Sequence, residues 1–206
     1  MPTFSPITPD GLVELGAELA TRRPRRRVVL LVDGPDAAAP ADLAGRIADR
    51  LTTLGRPAAV VSLVDYLRPA SLRFEFGHTD AESYRTIWFD LDAVRREVID
   101  ALRDRGQWLP RLWDPDRDRS FRDRPREAAP DQVLLVAGPM LLGSGLPADA
   151  TVALRLTAGA LHRRTPNEEA WTIPALLDHD RTAPIADVEV RYDHPDRPAV
   201  RAVLEK

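Results

Sequence analysis

The sequence predicts a single α/β domain over residues 1–206, in which two layers of helices enclose a mainly parallel sheet of about five strands. The main observation is a strand–turn–helix–strand order near the N-terminus. Residues 28–32 are a continuous β-branched and apolar run, typical of a strand buried on both faces. Apolar residues at helical spacing follow over 42–54, and a second apolar run at 58–63 predicts a second buried strand. This order is typical of a βαβ unit, whose strands run parallel.

The other elements of the N-terminal half follow from local patterns. Residues 1–9 contain three prolines and predict a loose arm, after which Asp10 is the predicted N-cap of a short amphipathic helix. The turn that ends the first strand leads into a helix predicted to begin near Pro40. Residues 66–90 then interrupt the alternation with a long polar and aromatic segment. A connection of that length indicates a functional excursion.

The C-terminal half continues the alternation. Apolar spacing predicts a helix over 92–105, and the Trp-, Pro- and Asp-rich stretch 108–131 predicts a β-hairpin or an irregular loop. Short helices are predicted around two prolines in 158–182. Further strands are predicted at 133–136, at 151–156 and, as the last strand of the chain, at 188–192.

Composition excludes several classes of site. The chain has no cysteine, which excludes disulfides, thiolate metal ligands and cysteine nucleophiles. Its formal net charge of −3 predicts no nucleic-acid partner and no membrane surface. No apolar run approaches the roughly 18 residues of a membrane span, and the basic run 22–27 follows the first apolar segment instead of preceding it, so we expect a cytoplasmic protein. The one lysine is Lys206, which leaves no interior lysine to clamp a phosphate.

The segment after the first predicted strand carries the most informative motif. It reads Asp33-Gly34-Pro35-Asp36-Ala37-Ala38-Ala39-Pro40-Ala41. It resembles the phosphate loop of uridine kinase-like P-loop proteins, in which a strand ends in Asp-Gly and a G-x-x-x-x-G-K-S/T loop precedes a helix. Gly34 matches the first glycine of that loop. Ala39, Pro40 and Ala41 stand where the family has glycine, lysine and a hydroxyl residue.

The resemblance extends over residues 26–198. The stretch 61–69 is similar to the second-strand motif of bacterial uridine kinases. The stretches 77–92, 133–138 and 187–195 are similar to the family's substrate loop, third strand and final strand and turn. The resemblance implies a P-loop NTPase fold and the activity of an ATP-dependent nucleoside kinase.

The departures from the family pattern fall on residues that carry chemistry. A phosphate loop holds its ligand with consecutive backbone N–H groups and a lysine, while its hydroxyl residue binds Mg²⁺. Pro40 removes the lysine and one backbone donor, and Ala41 removes the hydroxyl. The family's catalytic aspartate aligns with Val64. Asp65 is therefore one position out of register, on the opposite face of a strand.

These departures favour a degenerate phosphate loop on a uridine kinase-like pseudoenzyme, inactive with ATP and acting through ligand or partner binding. Asp33, Gly34 and Asp36 would be its nucleotide-binding remnant, and no cofactor is expected. The alternative is an active nucleoside kinase-family phosphotransferase, or an enzyme repurposed on that fold, with Asp36 and Asp65 as catalytic candidates; only this reading requires Mg-ATP. A homodimer or a protein partner is a further expectation. Fold analogy does not choose among these functions.

Four residues are candidates for a pocket that takes a small, nucleoside-like or anionic ligand: Arg68, Arg73, Tyr84 and Asp90. Ligands of parallel sheets bind at the carboxyl ends of strands, so we expect this pocket near the degenerate loop. Residues 158–182 are lid-like, because Arg163 and Arg164 stand where the family carries its arginine-bearing lid. Their alternative role is to end a helix, where the helix dipole favours cations.

No metal site is predicted. The aspartates of 114–123 alternate with arginines, which indicates a solvated, self-paired turn. The four histidines lack metal-ligand spacing. The arginine cluster 22–27 has no interleaved aromatic residues and is interpreted as a solvated lead-in to the first strand.

Overall fold

The computed structural model describes residues 3–23 and 26–202. Arg25 of the arginine cluster and Lys206 lie outside the described residues. The strands are β1 (Ser5–Pro6), β2 (Val28–Asp33), β3 (Ala58–Ser62), β4 (Gln107–Trp108), β5 (Trp113–Asp114), β6 (Arg119–Ser120), β7 (Arg126–Glu127), β8 (Val133–Gly138), β9 (Ala150–Arg155), β10 (Val188–Arg191) and β11 (Ala199–Ala202).

The α-helices are α1 (Pro9–Thr21), α2 (Pro40–Thr53), α3 (Ala70–Arg73), α4 (Ala81–Thr86), α5 (Leu91–Ala93), α6 (Ala158–Arg164) and α7 (Ile173–Thr182). Helix α5 continues as a π-helix over Val94–Arg105, so the helix predicted at 92–105 is present with π hydrogen bonding over most of its length. Turns of 3₁₀-helix cover Asp36–Ala38, Leu63–Tyr66 and Asn167–Thr172.

The central sheet has seven strands in the order β1-β11-β10-β9-β2-β8-β3. The five strands from β10 to β3 run parallel, and β11 and β1 extend the sheet antiparallel at one edge. Strand β2 lies between β8 and β9, and all of its residues are buried. The predicted α/β class and the mainly parallel sheet are confirmed.

The alternation of side chains along β2 explains its uninterrupted apolar run. Val28, Leu30 and Val32 pack into one core, with α1, α2, α6 and α7. Val29 and Leu31 pack into a second core on the other face, beneath the π-helix. Successive strand residues point to opposite faces, and both faces are covered, so neither set can be polar. The molecule therefore has three layers.

Two predictions about strands are wrong. Residues 58–63 are not buried on both faces: β3 is an edge strand, and four of its five residues stay partly exposed. An apolar run cannot reveal which strand lacks a neighbour, because pairing is decided by the whole chain. Residues 188–192 are not the last strand either, since β11 follows and pairs antiparallel with β10.

The N-terminus also differs from the expectation. Residues 1–9 are not a loose arm where they are described, because Ser5–Pro6 pair with β11. Helix α1 is capped by Thr8, whose hydroxyl accepts a hydrogen bond from the backbone nitrogen of Gly11 at 3.0 Å. Asp10 instead lies in the first turn, where its negative charge interacts favourably with the positive end of the helix dipole.

Residues 107–127 form two small ladders, β4 with β7 and β5 with β6, between the π-helix and β8. Two aspartates of this region bind donors of the same region: Asp114 accepts from two backbone nitrogens, and Asp123 pairs with Arg111 at 2.9 Å. Asp118 accepts from the backbone nitrogen of Ala70, outside the region, at 2.8 Å. Among the described helices, none has both the length and the apolar character needed to cross a bilayer.

Candidate functional site

The loop between β2 and α2 turns several backbone donors inward. The amide of Gly34 donates to the carbonyl of Gly138 at 3.1 Å, and the amides of Ala38 and Ala39 donate to carbonyls of the loop itself at 2.7 and 2.8 Å. Ala39 has left-handed backbone angles, φ 50° and ψ 55°, immediately before α2. Three of the loop's amides are thus used within the protein.

Gly34 is required here by packing against β9. A Cβ atom at this position would lie 2.9 Å from Cβ of Leu154 and 3.3 Å from the carbonyl oxygen of Leu154. Both distances are shorter than ordinary van der Waals contacts, and the second neighbour is backbone that cannot rotate away. Packing against Leu154 therefore explains the presence of glycine at position 34 without any role in phosphate binding.

Asp33 ends β2 and is only 1% exposed. Its Oδ1 accepts a hydrogen bond from the backbone nitrogen of Leu141 at 2.7 Å, and its Oδ2 lies 3.2 Å from Nε2 of His179 and 3.7 Å from the guanidinium of Arg155. Arg155 also contacts the carboxylate of Asp180 at 2.8 Å. We call Asp33, Arg155, His179 and Asp180 the Asp33 cluster.

The Asp33 cluster fixes α7 against the ends of β2 and β9. The cavity bordered by the cluster is about 20 Å³, room for about one water molecule. The carboxylate of Asp33, predicted as part of a nucleotide-binding remnant, is thus engaged by the protein. The partners of Asp33 could not be found in the sequence, because His179 is adjacent to it only through the packing of α7.

A larger cavity of about 370 Å³ lies on the other side of the loop, at the carboxyl ends of β2 and β3. We call it the aromatic cavity. Its wall combines the loop, the turn after β3, the excursion 66–90 and the lid-like segment 158–182. It includes six aromatic residues and two carboxylates: Phe74, His78, Tyr84, Trp88, Phe89, Trp171, Asp36 and Glu169.

Most ring pairs of the aromatic cavity meet at steep angles, except Phe74 and His78, which lie 4.3 Å apart at 31°. The centroid of Tyr84 lies 5.3 Å from that of Trp88 and 5.6 Å from that of Trp171, with interplanar angles of 73° and 76°. Trp88 and Trp171 are 5.1 Å apart at 56°. The edge-to-face contacts of Tyr84 with Trp88 and with Trp171 are a stable arrangement for aromatic pairs, and the two tryptophans are tilted against each other. They form adjoining walls rather than a stack that would fill the space.

The ionisable groups of this wall affect one another. Although the side chain of Asp36 reaches solvent, the surrounding wall raises the pKa of its carboxyl group, and the nearby charge of Glu169 raises it further. Burial raises the pKa of the Tyr84 hydroxyl, and both carboxylates add to that rise. Asp36, Glu169 and Tyr84 therefore lie close enough to form one electrostatic group.

Two polar atoms of wall residues are buried without a hydrogen-bond partner among the described residues: Nε1 of Trp88 and Oγ1 of Thr165. Buried polar atoms are normally paired, so both atoms retain hydrogen-bonding capacity. Sequence reasoning missed Thr165, Glu169 and Trp171 as wall residues. The only signal was their place in the lid-like segment.

Asp65 does not lie in the wall of the aromatic cavity. Its neighbour Val64 does, with 46% of its surface exposed. Partial burial raises the pKa of the Asp65 carboxyl, Arg111 lowers it, and two further aspartates raise it. Asp33, Asp36 and Asp65 are therefore in three different surroundings. Val64 and Asp65 are consecutive residues of the 3₁₀ turn Leu63–Tyr66, where a strand was predicted.

Among the four pocket candidates of the excursion, Tyr84 lines the aromatic cavity. Arg73 is buried behind the wall: its Nε donates to the carbonyl of Arg68 at 2.7 Å, and its guanidinium lies 5.2 Å from the ring centroid of Trp88. Asp90 caps α5 by accepting from the backbone nitrogen of Ala93 at 3.0 Å. Arg68 contributes its backbone to these contacts. Of the four candidates, the two arginines and Asp90 thus lie outside the wall of the aromatic cavity, which is mainly aromatic.

The two arginines of the lid-like segment end α6. Arg164 donates to the carbonyl of Tyr192 at 2.9 Å, next to β10, and Arg163 is exposed beside Gly159. Neither lines the aromatic cavity. The segment itself does cover the cavity, through the turn Asn167–Thr172 and helix α7.

No protein-family model matches the sequence, and no curated protein does. Solved structures do match. A protein assigned as a uridine kinase from Bacillus stearothermophilus has a TM-score of 0.65 at 15% identity, over 84% of this chain and 96% of that one. One assigned as a fructose transport system kinase from Silicibacter sp. TM1040 has a TM-score of 0.64 at 20% identity, over 86% of this chain and 98% of that one. The chain has a P-loop kinase fold.

A third structure, of the YGR205w protein, has a TM-score of 0.56 at 10% identity, over 94% of this chain and 99% of that one. In this chain β2, the loop 33–40 and α2 follow one another as strand, loop and helix. The aromatic cavity adjoins this loop. Identities at this level show the fold and leave the chemistry to the residues of the site.

Proposed function

We propose that this chain is a small-molecule-binding protein on a P-loop kinase fold, and that it does not transfer phosphate from Mg-ATP. The observation that carries the proposal is a contrast between the two sides of one loop. On the side of the Asp33 cluster the space is filled, whereas on the other side a cavity of about 370 Å³ remains open. Pockets of this size are typical of small-ligand sites.

The loop argues against phosphate transfer. Pro35 and Pro40 have no N–H group, and the inward-turned amides donate to carbonyls of the protein. A phosphate loop relies on such amides, on a lysine and on a hydroxyl that holds Mg²⁺. Ala41 has no hydroxyl, and residues 1–205 contain no lysine. Loss of one charge-stabilising group typically costs about 10²–10³ in rate.

The enzymatic alternatives have less support. A repurposed enzyme would need Asp33, Asp36 and Asp65 to act together, but Asp33 is engaged in the Asp33 cluster and Asp65 faces Arg111. Asp36 alone reaches the aromatic cavity. A phosphotransferase would also need the loop to bind Mg-ATP, whereas the amides of Gly34, Ala38 and Ala39 already donate to carbonyls of the protein. We therefore favour ligand binding.

Titration with Mg-ATP tests the proposal. We expect no change in the melting temperature of the wild type at millimolar Mg-ATP and no transfer of the γ-phosphate to uridine. Saturation at 100 times the dissociation constant would add about 2.7 kcal/mol, or roughly 5–10 °C for a chain of this size. The matched variant Ala39→Gly/Pro40→Lys/Ala41→Ser restores the three lost groups, and we expect a magnesium-dependent rise in its melting temperature. A rise of that size in the wild type, abolished by Asp36→Asn, would contradict the proposal.

A further inference from the structure

We infer that the ligand of the aromatic cavity is a small organic cation, a quaternary ammonium or a protonated amine, held by the aromatic rings and by Asp36 and Glu169. This inference rests on the proposed function and names the class of ligand. It is carried by the charge of the wall, by the kind of surface it presents and by its size.

The wall carries two carboxylates, and His78 is its one side chain that can become a cation. Asp36 and Glu169 contribute two carboxylates, and neither has an ion pair or a side-chain hydrogen bond among residues 3–23 and 26–202. Among the described residues no arginine lines the cavity, and Arg73 stacks behind the rings of Phe74 and Trp88. Burial and the nearby charge of Glu169 both raise the pKa of the Asp36 carboxyl, and no cation is among the causes that act on it. A ligand with a positive charge would supply one, and a ligand carrying phosphate would be repelled.

The remaining surface is of the kind that binds cations. Tyr84, Trp88 and Trp171 form adjoining walls at steep angles, and Phe74 and Phe89 continue them. The face of an aromatic ring is the negative part of its quadrupole, and a cation placed over it is attracted, most strongly over Trp. Arg73 already uses this attraction, since its guanidinium lies 4.9 Å from the centroid of Phe74. Several rings around one cation form an aromatic cage, which binds quaternary ammonium groups.

The size of the cavity limits the ligand. A volume of about 370 Å³ is at the lower end of the range for small-molecule sites, which suits a ligand of a few to a dozen heavy atoms rather than a nucleotide. The carboxylates lie at its solvent-accessible side, since both Asp36 and Glu169 are exposed. A cation would therefore enter past the charges and place its apolar substituents against the rings.

The test compares choline with its uncharged isostere, in which a tert-butyl group replaces trimethylammonium. Binding is followed by the intrinsic tryptophan fluorescence of the protein, to which Trp88 and Trp171 of the cavity wall contribute, and by the melting temperature. We expect choline to bind at least about tenfold more tightly than the isostere. We expect Asp36→Asn and Glu169→Gln each to weaken choline binding about fivefold and to leave the isostere unchanged. Asp65→Asn is the matched control, a partly buried carboxylate outside the cavity, and should change neither affinity.

The outcomes separate this inference from the proposed function. Equal binding of choline and the isostere would overturn the cation inference and would support a small-molecule site. Choline binding that survives both carboxylate substitutions would also overturn it, as would the absence of any response to choline up to about 100 mM, far above the dissociation constant of a specific site. The proposed function fails separately, through Mg-ATP binding or phosphate transfer by the wild type. Tighter binding of choline than of the isostere, lost in the two cavity variants alone, supports the inference.

Discussion

At the scale of single residues, Ala39 is the least favourable position in the loop. Its φ of 50° and ψ of 55° place an L-residue in the left-handed region, which costs about 1–2 kcal/mol. The conformation is retained because the carbonyl of Ala39 accepts from the amides of Asp42 and Leu43 and so begins α2. Pro40 assists, since its fixed φ suits the first position of a helix. Residue 39 thus has the left-handed backbone conformation that favours glycine, although it is an alanine.

Replacing Ala39 with glycine should therefore stabilise the protein. We expect Ala39→Gly to raise the free energy of unfolding by about 0.5–1 kcal/mol, because relief of strain exceeds the added entropy of the unfolded chain. Urea unfolding measures this change. Ala41→Gly, two residues on and inside α2, should lower the free energy by about 0.5–1 kcal/mol instead. Destabilisation of similar size by both substitutions would show that Ala39 is not strained.

At the scale of elements, helix α7 joins the sheet and the aromatic cavity. Its residue His179 reaches Asp33, and its residue Asp180 reaches Arg155, so one turn of helix is held at the ends of two strands. The same helix provides Leu176 to the wall of the aromatic cavity. Because these contacts hold α7 at the sheet, the helix keeps Leu176 in position in the cavity wall.

Loss of the contact between His179 and Asp33 should loosen α7 first. A hydrogen bond to a buried charged group contributes about 1.5–3 kcal/mol, so we expect His179→Ala to lower the free energy of unfolding by about 2 kcal/mol. Hydrogen exchange should accelerate most in α7. His162→Ala removes an exposed histidine of α6 and should have no measurable effect. Equal effects of the two substitutions would mean that the His179 contact contributes nothing specific.

At the scale of the whole molecule, the three tyrosines report on the integrity of both cores. Tyr84 and Tyr192 pack in the core that contains α1 and α2, and Tyr66 packs in the core beneath the π-helix. Burial raises the pKa of each hydroxyl above its ordinary value of 10.0. The folded chain therefore holds all three phenols in the protonated form more strongly than the unfolded chain does.

Alkaline pH should unfold the protein and ionise the tyrosines together. A raised folded-state pKa contributes stability that is fully present below the unfolded value near pH 10 and is lost as the pH rises towards the folded value. We expect tyrosinate absorbance to appear in one cooperative step that coincides with the loss of circular dichroism. A tyrosine that ionises near pH 10 while the fold is intact would contradict the burial described here.

Local patterns in the sequence determined the framework of this protein. The run 28–32, the turn after it and the spacing over 42–54 correctly predicted β2 and α2, because hydrophobic period and turn chemistry act over a few residues. The same local reasoning predicts that the loop 33–41 does not work as a phosphate loop, and the Mg-ATP titration tests that prediction. Local reasoning could not show that β3 is an edge strand or that Ser5–Pro6 pair with β11, because those outcomes depend on the order of distant strands.

The tertiary structure alone decided the site. Asp33 contacts His179, and the charge of Glu169 acts on Asp36, only because α7 and the turn before it fold back over the carboxyl ends of the strands. Arg73 was expected in a pocket and instead supports an aromatic wall from behind, since a buried guanidinium is stabilised by ring faces and a carbonyl. A sequence states which side chains are available. Their distances, and therefore the charge and shape of the cavity, arise from packing between segments that the sequence places far apart.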